Sequence, residues 1–235
     1  MSVSPIRSEP PPARIAPLAR LPLFFKLDGR RALVAGGSAA AAWKAELLAA
    51  AGARVDAYAP DPCAQLLALA DAAPGAVAIH RRAWAPADCA GAAIAVGACN
   101  DDDEAARFAA AARAAGVPVN VIDRPAFCDF AFGAIVNRSP LVIGVSTDGA
   151  APVFAQAIRA RIETLIPHGF ARWAEAAARW RPRVRGFGVR FWERFAARAA
   201  ARPNAIPTEA DLRALVAHAS GERSAGSVAL IDAGT

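Results

Sequence analysis

The sequence has few of the residues that build metal centres and disulfide frameworks, and those it has are scattered. Its four cysteines and three histidines form no C-x-x-C pair and no cluster along the chain. Zinc sites and disulfide scaffolds need such residues at close, regular spacing. We therefore expect no metal site, and free thiols in a reducing compartment.

Long uninterrupted apolar runs are also missing. Hydrophobic residues make up 55% of the chain, but many are alanines, and no stretch reaches the roughly 18 residues of a membrane span. Residues 1–20 contain three consecutive prolines and no apolar segment typical of a signal peptide, so they are interpreted as a flexible tail. These features predict a cytoplasmic protein with no membrane partner.

The net positive charge is confined to the C-terminal part. Residues 1–150 carry 14 basic and 14 acidic side chains, whereas residues 151–235 carry 13 and 7. Nine arginines between Arg172 and Arg202 could meet nucleic acid or a carboxylate or phosphate ligand. We favour a solvated helix face. Arginine is the usual basic residue of the whole chain, with 25 of 27 basic residues, so arginines in this region need no special role. No nucleic-acid recognition motif is present, so no nucleic-acid partner is expected.

Strand-type apolar runs alternate with helical segments between residues 28 and 130. Strands are predicted at 31–35, 54–59, 76–80, 92–96 and 117–122, and helices at 39–51, 65–73 and 101–115. This alternation predicts an α/β fold with a Rossmann-type parallel sheet. Beyond it, two apolar runs around a turn at 137–140 predict a hairpin, and helices follow at 152–165 and, broken by prolines, at 172–218.

A glycine turn, Gly36-Gly37-Ser38, lies where the first strand meets the first helix. Dinucleotide pyrophosphates bind at such turns, on the free N–H groups of a helix N-terminus. Against the fingerprint G-x-G-x-x-G/A, the chain has Gly36, Ser38 and Ala41, so serine replaces the middle glycine that lets phosphate approach the backbone. The alternative is a turn that only packs the helix against the strand.

A ribose-binding acid is expected about 20 residues after the turn. Asp56 has this spacing but lies inside the second strand, whereas Asp61 lies just past the end of that strand. We favour Asp61, and NAD over NADP, because no arginine follows this strand directly. The alternative role for Asp61 is capping of the helix after Pro62, which is compatible with ribose binding.

Asp123 directly follows the fifth strand, at the sheet edge where ligands of open α/β sheets bind. A carboxylate held near a substrate proton at this position can act as a general base. The alternative is an aspartate that only forms the turn before Arg124-Pro125. The acidic run at 101–104 is interpreted as a helix N-terminus rather than a set of metal ligands.

Several short motifs occur in the order found in one enzyme family. They are Leu21-Pro-Leu-Phe, Gly36-Gly37, Lys44-Ala45, Ala51-Gly-Ala-Arg, Asn120-Val-Ile-Asp123, Arg138-Ser-Pro-Leu, Val145-Ser-Thr and Phe191-Trp-Glu-Arg-Phe. Over residues 20–200 they resemble the precorrin-2 dehydrogenase/sirohydrochlorin ferrochelatase part of siroheme synthases. Residues 226–235 resemble the first strand and glycine turn of the uroporphyrinogen-III methyltransferase domain fused behind it.

This resemblance implies NAD-dependent oxidation of precorrin-2 to sirohydrochlorin, with insertion of Fe(II) to give siroheme. The implied cofactor contacts, together with the glycine turn, are Gly36, Gly37, Ser38, Ala39, Ala40, Pro60 and Asp61. The implied catalytic residue is Asp123, and the implied substrate contacts are Asn120, Ser146 and Thr147. Precorrins carry several carboxylates, which is a second candidate role for the arginine-rich region.

The resemblance also implies the order of domains. After the tail come the Rossmann domain at 21–132, a small α+β dimerisation segment at 133–167, a helical domain at 168–225 and the start of a methyltransferase domain at 226–235. A homodimer is implied. The alternative function, from the Rossmann half alone, is a non-catalytic NAD-sensing module.

Overall fold

The computed structural model describes residues 16–149 and 151–231, with side chains up to residue 220. The chain divides into two units, one ending at Phe132 and the other beginning at Gly133. The flexible tail predicted for residues 1–20 lies mostly outside the described residues. Within the described part of the chain, no helix has the length and apolar character needed to cross a membrane.

The first unit is a five-stranded parallel sheet with helices on both faces. Its strands are β1 (Arg31–Ala35), β2 (Arg54–Tyr58), β3 (Val77–His80), β4 (Ile94–Gly97) and β5 (Val119–Val121). Its helices are α1 (Ala39–Ala50), α2 (Ala64–Ala72) and α3 (Asp102–Ala114). The strand order β3-β2-β1-β4-β5 confirms the predicted Rossmann-type sheet. The order reverses between β1 and β4, and this switch point is where dinucleotides bind in such folds.

The strands are apolar along their length because both faces of the sheet are buried. In β1, Ala32 and Val34 belong to the core under α1 and α2, whereas Leu33 and Ala35 belong to the core under α3. Most of these side chains are small, so the helices pack closely on the sheet. This packing on both faces positions the loops that follow the carboxyl ends of the strands.

The second unit begins with a hairpin of β6 (Ala134–Arg138) and β7 (Leu141–Val145), followed by α4 (Pro152–Leu165). The hairpin and the helix agree with the prediction. Arg138 is buried and joins the two, because its Nε donates to the carbonyl of Ile166 at 2.7 Å. This bond satisfies a carbonyl at the C-terminal end of α4 that has no partner inside the helix.

Three further helices complete the second unit: α5 (Phe170–Trp180), α6 (Gly188–Ala201) and α7 (Glu209–Ile231). They share an aromatic core that contains Trp173, Trp180, Phe191 and Phe195. The breaks between the helices fall at the predicted prolines.

Residues 226–231 lie in α7, whereas a strand was expected from residue 226. A helix satisfies its backbone hydrogen bonds within itself, but a strand needs a neighbouring strand to pair with. Residues 232–235 lie outside the described residues. The assignment of 226–235 to a methyltransferase domain stays a prediction.

Candidate cofactor and active site

The glycine turn after β1 is enclosed by the protein's own backbone. Gly36 has a φ of 105°, and a Cβ on it would lie 2.7 Å from the carbonyl oxygen of Ala98. A Cβ on Gly37 would lie 2.3 Å from the carbonyl oxygen of Asp61, because the loop after β2 crosses there. The N–H of Cys63 donates to the carbonyl of Gly37 at 2.8 Å. Close backbone approach therefore requires both glycines independently of any ligand.

Ser38, at the position of the fingerprint's middle glycine, has an ordinary extended conformation with φ −71° and ψ 165°. No left-handed conformation is needed there, so serine fits without backbone strain. Its Oγ accepts a hydrogen bond from the N–H of Ala41 at 3.3 Å and caps α1. The N–H groups of Ala39 and Ala40, which have no partner inside the helix, point out of the first turn. The turn therefore fits a dinucleotide pyrophosphate.

The two candidate ribose acids differ in their surroundings. Asp61 is exposed on the loop after β2. Asp56 lies within β2, where its carboxylate accepts from Arg31 Nε at 2.5 Å and lies 3.2 Å from His80 Nε2. Burial acts to raise the pKa of Asp56, but the hydrogen bonds from Arg31 and His80 outweigh it and hold this pKa below its usual value. Asp56 is paired with Arg31 and His80 inside the sheet, so Asp61 is the candidate that lies at the ligand edge.

The alternative role for Asp61 as a helix cap is wrong. Helix α2 begins at Ala64, and its N-cap residue is Cys63, which makes no side-chain capping bond. The chain between Pro60 and Pro62 instead forms the loop that crosses the glycine turn. The capping interpretation of the acidic run at 101–104 is confirmed, because Asp101 Oδ1 accepts from the N–H of Glu104 at 2.7 Å.

Asp123 lies in a tight turn directly after β5 and has a φ of 60°. Few non-glycine residues adopt this left-handed conformation, although aspartate tolerates it better than most. The turn starts at the sheet edge, since the N–H of Ile122 still donates to the carbonyl of Gly97 at 2.8 Å. Asp123 therefore forms the turn and also presents an exposed carboxylate at the ligand edge.

Asn120, an implied substrate contact, is only 8% exposed. Its Nδ2 donates to the carbonyl of Phe130 at 2.9 Å and contacts the sulfur of Cys128 at 3.4 Å. In this arrangement the amide holds the returning segment against β5. A substrate contact by Asn120 stays a prediction.

Lys44 of α1, which the sequence analysis quoted only as part of the motif Lys44-Ala45, has unusual surroundings. Its Nζ lies 3.9 Å from the ring centroid of Phe132 and 4.3 Å from that of Trp43. Burial lowers the pKa of Lys44 to about 8, although the nearby Asp123 carboxylate and Cys128 act in the opposite direction. The available signal was its rarity, because the sequence has only one other lysine, Lys26.

The last two implied substrate contacts, Ser146 and Thr147, lie in the second unit, in the loop after β7. Ser146 Oγ accepts from the N–H of Asp148 at 3.2 Å, and Thr147 Oγ1 donates to the carbonyl of Ala151 at 3.3 Å. These bonds shape the loop before α4. The glycine turn, Asp61, Lys44 and Asp123 belong to the first unit instead.

No group of three histidine, cysteine, aspartate or glutamate side chains able to hold a metal occurs within residues 16–149 and 151–220. All four cysteines are free thiols. The one of them that lies closest to Asp123 in the sequence is Cys128, whose Sγ donates to the carbonyl of Val121 at 3.2 Å.

Comparison with known proteins places this site in a wider group. Residues 23–134 match a family model described as "Putative NAD(P)-binding", and residues 138–165 match one described as "Sirohaem biosynthesis protein central". The siroheme synthases of Ectopseudomonas mendocina (strain ymp) and Pseudomonas putida (strain W619) are each 47% identical over 165 residues, which is 70% of this chain and 35% of theirs. The chain therefore spans about a third of the length of these relatives.

A solved structure, "SirC, precorrin-2 dehydrogenase", has the same fold. The match covers 86% of this chain and 100% of that one, with a TM-score of 0.61 and 18% sequence identity. Fold, glycine turn and family model together define a Rossmann-type NAD(P)-binding protein with a siroheme-type central segment. Residues 23–165 are thus related in sequence to siroheme synthases.

Proposed function

We propose that the chain is an NAD-dependent dehydrogenase that oxidises precorrin-2 to sirohydrochlorin. The observation that carries the proposal is the placement of two exposed carboxylates on opposite sides of the switch point. Asp61 follows β2 on one side, Asp123 follows β5 on the other, and the glycine turn lies between them. A dinucleotide across this edge would have its adenosine ribose near Asp61 and its reacting ring on the side of Asp123.

The proposed chemistry divides between cofactor and protein. NAD, when bound, supplies the hydride acceptor. The N–H groups of Ala39 and Ala40 would hold the pyrophosphate, and Pro60 and Asp61 would line the ribose. Asp123 would accept the proton that leaves the substrate as the macrocycle is oxidised.

A preference for NAD over NADP is supported by the surroundings of Arg82. This arginine follows β3 and lies 4.7 Å above the ring of Tyr58, near the end of β2. Its guanidinium makes two 2.7 Å hydrogen bonds to Asp88, and these bonds lower the pKa of Asp88 to about 2. An arginine already paired in this way is poorly placed to bind a ribose 2′-phosphate.

The proposal extends to insertion of Fe(II) into sirohydrochlorin. Fe(II) is here a substrate, held by the nitrogens of the macrocycle, so the protein need not supply a ligand set. Insertion releases protons from those nitrogens, and Asp123 is the exposed carboxylate that would accept them.

We also propose that the protein is a homodimer formed through the hairpin and α4. The supporting observation is the exposure of apolar side chains on this segment, since Val153 is 84% exposed, Leu165 72% and Phe154 60%. Sedimentation would then give twice the 24.3 kDa mass of the chain, and a monomer would contradict the assignment. We further propose that the protein acts in the cytoplasm and that a methyltransferase domain begins at residue 226.

The function is tested by anaerobic incubation of the chain with precorrin-2, with and without NAD. We expect the sirohydrochlorin spectrum to appear only with NAD, and a later addition of Fe(II) to convert that spectrum to the siroheme spectrum. NADP at the same concentration serves as the matched control for cofactor choice. Intact NAD binding by calorimetry without any conversion would favour the NAD-sensing module instead.

A further inference from the structure

The ammonium of Lys44 lies over two aromatic rings and has no hydrogen-bond acceptor among the residues whose side chains are described. Two aromatic rings, those of Phe132 and Trp43, lie at 3.9 and 4.3 Å from Nζ to the ring centroids. Within residues 16–149 and 151–220, Lys44 makes no hydrogen bond and has no carboxylate at ion-pair distance. Cation–π contacts offset part of the cost of burying the charge, but the rings offer no oxygen to its N–H donors.

These rings belong to a larger aromatic surface on the first unit. Phe132 packs edge-on against Phe130 at 5.4 Å between centroids, and Phe130 lies 6.3 Å from Phe25. Phe25 is 45% exposed and Trp43 53% exposed. We call the set of Trp43, Phe132, Phe130 and Phe25 the aromatic shelf. Its rings are tilted against one another, by 40° between Phe25 and Phe130 and by 71° between Phe130 and Phe132, and the Lys44 ammonium lies at its Trp43 and Phe132 end.

The position of the shelf relative to Asp123 follows from two contacts. Asn120 of β5 holds the segment that bears Phe130 through its 2.9 Å hydrogen bond, and Asp123 lies three residues further along the chain. Burial lowers the pKa of Lys44 to about 8, and the Asp123 carboxylate acts in the opposite direction. Cation, aromatic shelf and exposed carboxylate all belong to the first unit.

We propose that Lys44 is a substrate-binding residue that receives a carboxylate of the tetrapyrrole while the macrocycle lies on the aromatic shelf. This inference rests on the proposed function. A tetrapyrrole of this class combines a flat apolar ring with carboxylates at its periphery, which matches an apolar shelf with an ammonium at its margin. Binding supplies the missing acceptor, and the contact places the substrate edge beside Asp123.

The same ammonium could instead bind a dinucleotide phosphate, since both ligands are anions. We favour the carboxylate because Lys44 is the sixth residue of α1, more than a turn beyond the N–H groups of Ala39 and Ala40 that suit the pyrophosphate. The experiment is designed to distinguish the two anions.

The two lysines of the chain make a direct test possible. Lys44 and the exposed Lys26 are acetylated with N-hydroxysuccinimidyl acetate under anaerobic conditions, and each is followed by mass spectrometry of its peptide. Sirohydrochlorin should slow the acetylation of Lys44 about tenfold and leave that of Lys26 unchanged, and NAD alone should protect neither. Protection by NAD alone would identify the anion as phosphate and overturn the proposal.

A parallel absorbance titration separates this inference from the proposed function. If sirohydrochlorin binds but Lys44 is acetylated at its original rate, only the role of Lys44 is wrong. If sirohydrochlorin does not bind at all, the proposed function and the inference fail together.

Substitutions provide a second readout. Lys44→Met keeps the length of the side chain and should raise the Kd for sirohydrochlorin about tenfold, the effect expected of one charge-assisted hydrogen bond. The Kd for NAD should not change, Lys44→Arg should retain most of the affinity, and Lys26→Met is the matched control. A Lys44→Met protein that folds, by its thermal transition, and binds sirohydrochlorin as the parent does would overturn the proposal.

Discussion

Two aspartates of the parallel sheet, Asp56 and Asp123, have opposite surroundings. On the side of β2 and β3, Asp56 is held by Arg31 and His80. On the side of β5, Asp123 is exposed and Lys44 has no hydrogen-bond acceptor among the residues with described side chains. Charges that neutralise one another stabilise the fold, whereas charges left without a protein partner at a sheet edge are candidates for ligand binding.

The difference follows from where each aspartate lies relative to its strand. In the sheet register Asp56 pairs with Leu33 of β1 and with Ala78 of β3. Arg31 and His80 are two residues away from those partners, so all three side chains point to the same face and meet as diagonal neighbours. Asp123 comes after its strand has ended and has no such neighbours.

The largest predicted effect concerns Asp123. Asn tolerates the left-handed conformation that Asp123 adopts, so Asp123→Asn should fold normally and bind NAD, whereas alanine would add backbone strain. Loss of a general base should lower kcat by about 100-fold or more. The measurement is the anaerobic oxidation assay, with NAD binding followed by calorimetry. A variant with the parent rate would show that Asp123 only forms the turn.

Much of the first unit could be predicted because its local signals agree with its tertiary packing. Continuous apolar runs mark strands buried on both faces, and the helix α1 ends just before Gly52, whose φ of 84° is typical of a residue that terminates a helix. The prediction failed at residues 226–231, where an apolar run alone does not distinguish a strand from a helix.

The site was predictable only where topology determines it. Asp61 and Asp123 follow strands, and the carboxyl ends of parallel strands share one edge, so their placement could be inferred from sequence. Lys44 lies in the middle of an alanine-rich helix, and the motif Lys44-Ala45 carried the resemblance without indicating a role for the lysine. Its ammonium contacts Phe132, and the Asp123 carboxylate acts on its pKa. Both residues lie far from Lys44 in the sequence, so these interactions depend on the tertiary structure.

The second prediction concerns Asp56, the aspartate that is paired inside the sheet. Asp56→Asn removes the charge that Arg31 and His80 bind, and it should lower the free energy of unfolding by about 1–2 kcal/mol at pH 7. The kcat should stay near that of the parent, because Asp56 lies away from the ligand edge. Urea denaturation and the oxidation assay measure the two quantities. A fall in kcat without a loss of stability would contradict the distinction between the two aspartates.

The pH dependence of this variant gives an internal check. The pKa of Asp56 is lower in the folded chain than its unfolded value of about 3.9, so its contribution is fully present above that pH and is lost as the pH falls through the folded pKa. The stability difference between the parent and Asp56→Asn should therefore shrink as the pH falls through the folded pKa of Asp56. A difference that persists in acid strong enough to protonate Asp56 would mean that the carboxylate is not what stabilises the sheet.

The smallest predicted effect concerns Ser38, whose hydroxyl already accepts a hydrogen bond within the glycine turn. Ser38→Gly restores the usual middle glycine of the fingerprint, but the φ of −71° at this position needs no glycine. Loss of the cap on Ala41 should cost only a few tenths of a kcal/mol, since glycine is a tolerable cap. The N–H groups that suit a pyrophosphate are unchanged, so the Kd for NAD, measured by calorimetry, should change less than about threefold, within about 0.7 kcal/mol.

Ser38→Ala is the matched control, because it removes the capping hydroxyl but keeps the Cβ. It should lower the free energy of unfolding by about 1 kcal/mol, more than the glycine variant does, while NAD affinity again changes little. If Ser38→Gly tightened NAD binding tenfold and Ser38→Ala did not, the Cβ of Ser38 would be holding the phosphates away from the backbone. Ser38, whose hydroxyl is hydrogen-bonded within the protein, would then also limit the affinity for NAD. The distinction between structural and ligand-binding polar groups would not hold at the glycine turn.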